Sequence, residues 1–233
     1  MLFQALDDKG ECVGVYADGA LHTDALPDDL TKTWSYAPYL KNKGVEYARL
    51  YCDGASLDEV CPEELKGEWN YVSVQMKAYL RSFITAQVSL SENCFFDLVP
   101  SRFLMEYCDV KNQITKHVLE NYEKPKNYDF LVDLTKLITD MNYQKLKIDC
   151  SRLREKYYST SCRKFIKQIN SLEPYCKYNI FGTKTGRLTT VPGSIPILTM
   201  AKEFRVVVEP TNDWFVEMDY NGAELRTVLS LSG

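Results

Sequence analysis

The sequence predicts an α+β protein with a small β-rich unit over residues 1–65, a helical region over 66–144 and a second mixed part over 145–233. Three observations lead to this prediction. Short apolar runs separated by Asp-Gly turns dominate the first part, and apolar residues at helical spacing dominate the second. In the third part, a short apolar run leads directly into a segment with helical spacing. The 233 residues, of which 45% are hydrophobic, provide ample material for a core.

The β-rich unit contains four candidate strands. Asp-Gly pairs, which favour tight turns, follow the second and the fourth of them. The unit is acidic and offers no group of residues that we can assign to a reaction, so a structural or docking role is favoured. The candidate strands are Leu2–Leu6, Glu11–Ala17, Ala20–Thr23 and Val45–Cys52.

The helical region is predicted to form three amphipathic helices. The first covers residues 71–88, the second begins at Pro100 and ends before Pro125, and the third covers residues 130–141. Apolar stripes of this kind usually pack into a core, so we assign no cofactor to them. The residues expected to face the core are Val72, Met76, Tyr79, Leu80, Phe83, Ile84, Phe103, Leu104, Tyr107, Ile114, Val118, Leu119, Phe130, Leu131, Leu134, Leu137, Ile138 and Met141.

A further helix is predicted from Cys150 to about Leu172, with Leu153, Tyr157, Ile166, Ile169 and Leu172 facing inward. This helix lies in a strongly basic stretch, because residues 145–187 hold eleven Lys and Arg but three Asp and Glu, whereas the whole chain has a net charge of -4. A solvated helix face would account for the charges alone. Aromatic residues lie among them, however, and contact with a nucleic-acid backbone is the better hypothesis. These aromatic residues are Tyr157, Tyr158, Phe165, Tyr175, Tyr178 and Phe181.

The eight cysteines are scattered, form no Cys-x-x-Cys pair and are accompanied by two histidines. This pattern argues against a zinc site and favours reduced, mostly buried thiols. The N-terminus lacks a basic leader with a long apolar core, and no run of about 18 apolar residues occurs. We therefore expect a cytoplasmic protein without a membrane span.

Two ordered motifs lie in the last fifty residues. Thr183–Thr190 reads Thr-Lys-Thr-Gly-Arg-Leu-Thr-Thr, and Met218–Arg226 reads Met-Asp-Tyr-Asn-Gly-Ala-Glu-Leu-Arg. Trp214–Met218 is predicted as a strand and residues 222–231 as a helix, so Asp219 lies where a strand ends and a helix begins. A turn former or helix cap would explain Asp219 by itself. Metal-dependent chemistry also needs a rigidly held carboxylate at such a position.

Together, these motifs and the intervening Ile195-Pro196 and Phe204-Arg205 pairs resemble family A DNA polymerases, the group of bacterial DNA polymerase I and its phage relatives. Residues 145–233 carry the resemblance and would form a reduced thumb and the first part of a palm. Lys145–Asp149 resembles the short strand that opens the polymerase core, and Asp149 would cap the next helix. The implied activity is the Mg²⁺-dependent addition of deoxynucleotides to a primer 3'-hydroxyl, in a bacterial or phage-infected cell.

The resemblance also implies roles for individual residues. Asp219 would be a catalytic carboxylate that binds both Mg²⁺ ions, and the Tyr220 carbonyl would bind one of them. Glu224 would exclude a 2'-hydroxyl, although a favourable acid in a helix first turn explains it equally well. The residues implied to contact the deoxynucleoside triphosphate are Tyr220, Asn221, Gly222 and Glu224, and those implied to contact primer–template DNA are Lys184, Thr185, Arg187, Thr189 and Thr190. Asn221 and Gly222 replace a Ser-Gln pair that is common in the family.

Three features depart from the family. About thirty-five residues separate Asp149 from Gly186, where the family has a long helical thumb, which favours a phage-type enzyme. The fingers and the second metal-binding Asp are not in this sequence, so we expect the chain to be inactive alone and to need a second polypeptide or a continuing chain. No Asp-x-Glu pair occurs, so residues 66–144 are at most a degenerate exonuclease-like remnant.

Two alternatives to a polymerase remain. One is a non-catalytic DNA-binding protein that keeps the duplex-contacting surface of a palm. The other is a soluble α/β domain whose motif match is accidental.

Overall fold

The computed structural model describes residues 1–6, 14–23, 25–41, 43–90, 93–217 and 219–231. The chain is α+β, with much helix and small sheets. It divides into a first unit, Met1–Gln144 with Lys177–Val191, and a second unit, Lys145–Cys176 with Pro192–Gly233. Within the described ranges, no helix is long and apolar enough to cross a membrane.

The strands and helices follow one another along the chain with short 3-10 helices between them. In chain order they are β1 (Phe3–Ala5), β2 (Val15–Ala17), β3 (Ala20–His22), β4 (Lys32–Thr33), β5 (Glu46–Tyr47), α1 (Leu57–Val60), α2 (Lys66–Thr85), α3 (Phe95–Leu98), α4 (Ser101–Asn121), α5 (Tyr128–Asn142), β6 (Lys147–Ile148), α6 (Thr160–Asn170), β7 (Tyr178–Asn179), β8 (Thr189–Thr190), β9 (Val208–Glu209) and α7 (Ala223–Leu231).

The first unit is built on short mixed strands. β1, β2 and β3 are antiparallel neighbours, and β4 runs parallel to β5. These strands form a three-stranded sheet and a two-stranded sheet, and an isolated parallel bridge between Leu2 and Lys32 connects the two. Asp18 and Gly19, with φ of 49° and 76°, form the predicted tight turn between β2 and β3.

Helix α4 packs along this unit as its apolar pattern predicts. Ile114 and Val118 are fully buried in one cluster with Trp69 and Val72 of α2. The side-chain nitrogen of the buried residue Gln4 in β1 donates hydrogen bonds to Asn112 and Thr115 of α4, at 2.8 and 3.0 Å. The prediction that α4 turns one apolar face to a core is therefore confirmed.

The predicted inward face of α5 is right for Ile138, which is buried, and for Leu131, which packs against the core. It is wrong for Phe130 and Leu137, which are 64% and 56% exposed, and the buried Tyr128 was not predicted. The Tyr128 hydroxyl accepts a hydrogen bond of 2.7 Å from the backbone N–H of Tyr47. This bond fixes the start of α5 through Tyr128, and Phe130 consequently points to solvent. On α2, Leu80 and Ile84 are likewise exposed rather than buried.

The second unit begins as predicted. β6 pairs antiparallel with β9, and the Asp149 carboxylate accepts a hydrogen bond of 2.9 Å from the backbone N–H of Ser151, which confirms the cap. The core of this unit includes Leu153, Ile166 and Val207. Phe165 and Phe204 stack within the same unit, with ring centroids 4.5 Å apart.

The single helix predicted from Cys150 to Leu172 is wrong. A 3-10 helix, Cys150–Lys156, is separated from α6 by an extended Ser159 at the N-cap of α6. The Arg163 guanidinium donates to the carbonyls of Tyr157 and Tyr158, each at 3.2 Å, and so satisfies backbone acceptors at the break. Tyr157 is consequently exposed, not inward as predicted.

Two predicted strands are also shorter or absent. β5 ends at Tyr47, because the chain then forms a 3-10 helix and turns back at Gly54, whose N–H donates to the Arg49 carbonyl at 2.9 Å. Residues 214–217 form no strand, and no strand of the described chain pairs with them; Met218 lies outside the described residues. The helix predicted after Asp219 is confirmed as α7.

The cysteines depart in one respect from the expected reduced state. Cys94 is disulfide-bonded, which contradicts the prediction for this residue. Free thiols that are buried occur at Cys52, Cys61, Cys108, Cys162 and Cys176, and Cys150 is a free, half-buried thiol.

Candidate functional site

The Thr-Gly-Arg motif forms the loop of a β-hairpin in the first unit. β7 and β8 are antiparallel, with Tyr178 opposite Thr190 and Asn179 opposite Thr189. Residues 180–188 therefore form the loop between the strands. The structure thus brings together the five residues that the resemblance assigns to DNA contact, which are Lys184, Thr185, Arg187, Thr189 and Thr190.

Thr183 orders this loop from within. Its hydroxyl accepts a hydrogen bond of 2.9 Å from the Arg187 N–H and donates one of 3.0 Å to the Arg187 carbonyl. Gly186 lies between them with φ of 71°, a left-handed conformation that favours glycine. The backbone at Arg187 is therefore fixed while its side chain remains at the surface.

The loop carries cations that the rest of the described chain does not neutralise. Lys184, Thr185 and Arg187 are exposed, and Thr189 and Thr190 are half-buried. Neither Lys184 nor Arg187 forms an ion pair with another described residue. Exposed cations of this kind are available to phosphate oxygens, which form charge-assisted hydrogen bonds with them.

Two glycines allow close packing at the base of the hairpin. A Cβ at Gly182 would lie 1.8 Å from Thr189 Oγ1, and a Cβ at Gly54 would lie 2.0 Å from Cδ2 of Phe181. Since real Cβ atoms do not approach other atoms so closely, the hairpin position depends on both residues being glycine. The Phe181 ring thereby fixes the hairpin against the turn that follows β5.

The second motif forms an exposed turn at the start of α7 in the second unit. Asp219 and Tyr220 are exposed, and Gly222 has φ of 65°. The Asn221 carbonyl accepts a hydrogen bond of 2.9 Å from Nε of Arg226, so Arg226 braces this turn. The side chain of Glu224, the residue implied to exclude a 2'-hydroxyl, lies outside the described residues.

The donor atoms of this turn fit Mg²⁺ chemically. A carboxylate at Asp219 and a backbone carbonyl at Tyr220 are oxygen ligands, which Mg²⁺ prefers. Within the described ranges, no group of three or more His, Cys, Asp and Glu side chains is placed to hold a metal ion. The turn therefore provides two oxygen atoms of a kind that suits Mg²⁺, which is fewer than the ion coordinates.

The segment around this turn exposes a large amount of apolar surface, which the sequence analysis did not anticipate. Trp214, Phe215 and Val216 are 82%, 66% and 79% exposed. On α7, Leu225 and Val228 are also exposed, although their spacing is that of a buried helix face. Contiguous exposed apolar residues of this kind mark interaction surfaces.

Several cations of the basic stretch are already paired inside the second unit. Lys147 Nζ lies 3.0 Å from a carboxylate oxygen of Glu209, and Arg152 hydrogen-bonds the other oxygen. The hydrogen bond from Lys147 has the largest effect, and together with Arg152 it lowers the pKa of the Glu209 carboxyl below its usual 4.5. The charge of residues 145–187 consequently overstates the number of cations that could contact a polyanion.

Replacement of Glu209 by Gln is expected to lower the Tm at neutral pH, because it leaves Lys147 and Arg152 without their carboxylate. Since folding depresses the pKa, the stabilisation is complete above the unfolded pKa and is lost as pH falls through the folded value. The Tm difference between the wild type and Glu209→Gln should therefore be full at neutral pH, where the Glu209 carboxyl is ionised in both states, and should shrink in acid as pH falls through the lowered pKa of the folded protein. Thermal unfolding followed by circular dichroism measures this difference.

Glu203→Gln is the matched control, because Glu203 pairs with Lys156 at 3.7 Å in an exposed position. Exposed pairs of this kind contribute little to stability. A Tm difference for Glu209→Gln that does not change with pH would contradict the assignment.

A comparison with known protein families, curated proteins and solved structures finds no match to this chain.

Proposed function

We propose that this chain is part of a family A DNA polymerase, in which it contacts primer–template DNA and supplies one palm carboxylate. The observation that carries the proposal is the geometry of Thr183–Thr190. An ordered hairpin loop presents two unpaired cations, Lys184 and Arg187, on a rigid base, in the sequence block that resembles the DNA-contacting motif of the family.

The hairpin would contact DNA through two kinds of group. Arg187 would enter the minor groove at the primer terminus and donate to purine N3 or pyrimidine O2, which correct base pairs present at equivalent positions. Lys184 and the hydroxyls of Thr185, Thr189 and Thr190 would contact phosphate oxygens. Such contacts hold a duplex in register without reading its sequence.

The turn at Asp219 would serve nucleotidyl transfer. The Asp219 carboxylate and the Tyr220 carbonyl would hold Mg²⁺, and Asn221, Gly222 and Glu224 would line the site of the incoming triphosphate. Bound Mg²⁺ ions stabilise negative charge on the attacking and leaving oxygens of a phosphoryl transfer. In the chain itself, the Arg226–Asn221 hydrogen bond and the left-handed Gly222 hold the backbone of this turn.

A second polypeptide, or a continuation of the chain, would supply the second carboxylate and the fingers. The exposed residues Trp214, Phe215 and Val216, together with Leu225 and Val228 of α7, support this part of the proposal. Burial of these side chains against a partner would remove their apolar surface from water, at about 25 cal/mol for each Å². The partner would therefore present an apolar surface next to a carboxylate.

A non-catalytic DNA-binding protein is the second candidate. The DNA-contacting hairpin belongs to the first unit, whereas Asp219 belongs to the second. Duplex binding by the hairpin therefore does not require a complete palm. Template-directed primer extension separates this candidate from a polymerase.

Replacement of Arg187 by Ala is expected to weaken binding of a primer–template duplex by about 10-fold, because one minor-groove contact and one cation are lost. The dependence of log affinity on log salt concentration should also become shallower, by about one unit of slope. Fluorescence anisotropy with a labelled primer–template, measured at several salt concentrations, gives both quantities.

Lys66→Ala is a suitable control, because Lys66 is exposed but already forms an ion pair with Glu63. Its affinity and salt slope should equal those of the wild type. If Arg187→Ala and the wild type have equal DNA affinities and equal salt slopes, the hairpin does not contact DNA. That result would favour an accidental motif match.

A further inference from the structure

A cavity of about 450 Å³ lies within the first unit, beside the base of the β7–β8 hairpin. Its walls come from the segment around β5, from the second half of α5 and from the hairpin. The volume falls in the range of about 300–1,000 Å³ that small-molecule sites occupy. The cavity is therefore large enough for a ligand, and its lining shows which chemistry would be recognised.

Aromatic rings form part of the wall. Tyr36, Tyr47 and Phe181 line the cavity, and the rings of Tyr36 and Tyr47 meet edge to face with centroids 5.7 Å apart. Phe181 is held in place by its close packing on Gly54. Tyr47 is 2% exposed and supports Tyr36 from within, so the half-buried rings of Tyr36 and Phe181 are the ones that a ligand can reach. Fixed rings favour a flat aromatic ligand, because such a ligand can stack on them without ordering flexible side chains.

A buried hydroxyl in the wall has no partner. The Tyr36 hydroxyl is buried and makes no hydrogen bond within the described chain. Burial, followed by the nearby carboxylate of Asp140, raises the pKa of Tyr36, so this hydroxyl remains protonated and can donate. An unpaired buried donor is costly, and a ligand that accepts its hydrogen bond would remove this cost.

Two asparagines add further donors. Asn142 Oδ1 accepts a hydrogen bond of 2.8 Å from the Tyr178 N–H, and Asn179 Oδ1 accepts one of 3.0 Å from the Phe181 N–H. Both residues line the cavity. Since their oxygens are engaged by the backbone, their amide nitrogens remain as donors for the acceptor atoms of a ligand.

Arg49 supplies the positive charge of the lining. Its Nε donates a hydrogen bond of 3.3 Å to the Gly54 carbonyl, which orients the guanidinium. Arg49 forms no ion pair with a carboxylate of the described chain, whereas the nearby Asp140 is paired with Lys41 at 3.3 Å. The terminal nitrogens of Arg49 can therefore form a bidentate contact with a phosphate group.

We propose that this cavity binds a nucleoside monophosphate unit. The base would lie against the rings of Tyr36 and Phe181, its acceptor edge would face the Asn142 and Asn179 amides, and the phosphate would contact Arg49. The unit is either a free mononucleotide or the terminal nucleotide of a single strand, which share this chemistry. The proposal goes beyond the proposed function, because the site uses neither Asp219 nor the cations of the hairpin loop.

Isothermal titration calorimetry of the full chain with dAMP tests the proposal. The wild type should bind dAMP more tightly than deoxyadenosine or inorganic phosphate, each by about 10-fold or more, since the ring and the anion are recognised together. Arg49→Ala should weaken dAMP binding by about 10- to 100-fold. Tyr36→Phe should weaken it by about 2- to 10-fold without lowering the Tm, because only an unpaired buried hydroxyl is removed.

Arg81→Ala is the matched control, because Arg81 is an exposed arginine of the same first unit whose Nε donates to a backbone carbonyl, as that of Arg49 does, but which does not line the cavity. Its affinity for dAMP should equal that of the wild type. A short oligonucleotide with a terminal phosphate distinguishes the two sources of the ligand. Displacement of dAMP assigns the site to the end of a strand, and retention of dAMP assigns it to free nucleotides.

Failure of the wild type to bind dAMP at millimolar concentration would overturn the proposal. Equal dAMP affinities of the wild type, Arg49→Ala and Tyr36→Phe would also overturn it. Tyr36→Phe changes a single oxygen atom and keeps the test valid if Arg49→Ala does not fold. Either failure would leave duplex binding through Arg187 untouched, so it is distinguishable from failure of the polymerase proposal.

Discussion

Primer extension is expected to be lost when Asp219 is replaced by Ala, in a mixture of this chain with the polypeptide encoded directly downstream. The wild-type mixture should extend a primer with Mg²⁺ and all four deoxynucleoside triphosphates, and the chain alone should not. Asp219 would hold Mg²⁺ next to the transferred phosphate, and this contribution amounts to several kcal/mol, or about 1,000-fold in rate. Extension of a labelled primer, resolved on a denaturing gel, measures the effect.

Asp213→Ala provides the control for this experiment, because Asp213 is an exposed aspartate in the bend just before the same segment. It should extend the primer like the wild type. Asp219→Ala should also bind primer–template normally, since the contacting hairpin lies in the first unit. Extension by the chain alone, or by the Asp219→Ala mixture, would contradict the assignment. No extension by any mixture, with duplex binding intact, would favour the non-catalytic DNA-binding protein.

Replacement of Gly54 by Ala is expected to destabilise the first unit by about 2–5 kcal/mol, which is the sum of two costs. Gly54 has φ of 75°, in the left-handed region that is unfavourable for alanine. The added Cβ would also lie 2.0 Å from the Phe181 ring, so the ring or the hairpin must move. Urea unfolding followed by circular dichroism gives the change in free energy of unfolding.

Gly19→Ala separates the two costs. Gly19 has nearly the same φ, 76°, but no atom lies within 4 Å of an added Cβ. Its substitution should therefore cost about 1–2 kcal/mol, from the backbone alone. Combining Gly54→Ala with Phe181→Ala should cost less than the sum of the two single changes, because the clash is absent from the double variant. Equal effects of Gly54→Ala and Gly19→Ala would show that Phe181 does not constrain this turn.

The sequence predicts those parts of the fold that depend on local chemistry. The stripe with Ile114 and Val118 is buried, Asp149 caps the following 3-10 helix, and Asp18 and Gly19 form their turn, because each depends on spacing or on backbone preferences nearby. Helix α5 shows where this reasoning stops. Its buried face is selected by the hydrogen bond between Tyr128 and the distant Tyr47, which periodicity cannot reveal.

The candidate sites divide in the same way. The residues that we propose to contact DNA form a contiguous motif in the sequence, and the structure assembles them in one hairpin. The cavity beside this hairpin was not predicted, because its lining comes from segments that are far apart in the chain, such as those of Tyr36, Asn142 and Phe181. The sequence shows only that Arg49 lies among tyrosines, and many surface segments have such a composition.

The contrast between the tryptophans gives the protein a natural optical probe. Trp34 and Trp69 are each 6% exposed in the first unit, whereas Trp214 stands in the segment before Asp219 with most of its indole in water. Indole emission depends on the polarity of its surroundings, and soluble quenchers reach only an accessible ring. The red-shifted, quenchable part of the intrinsic fluorescence therefore belongs to Trp214, and it would report without any label on the binding of the partner that we propose for this segment.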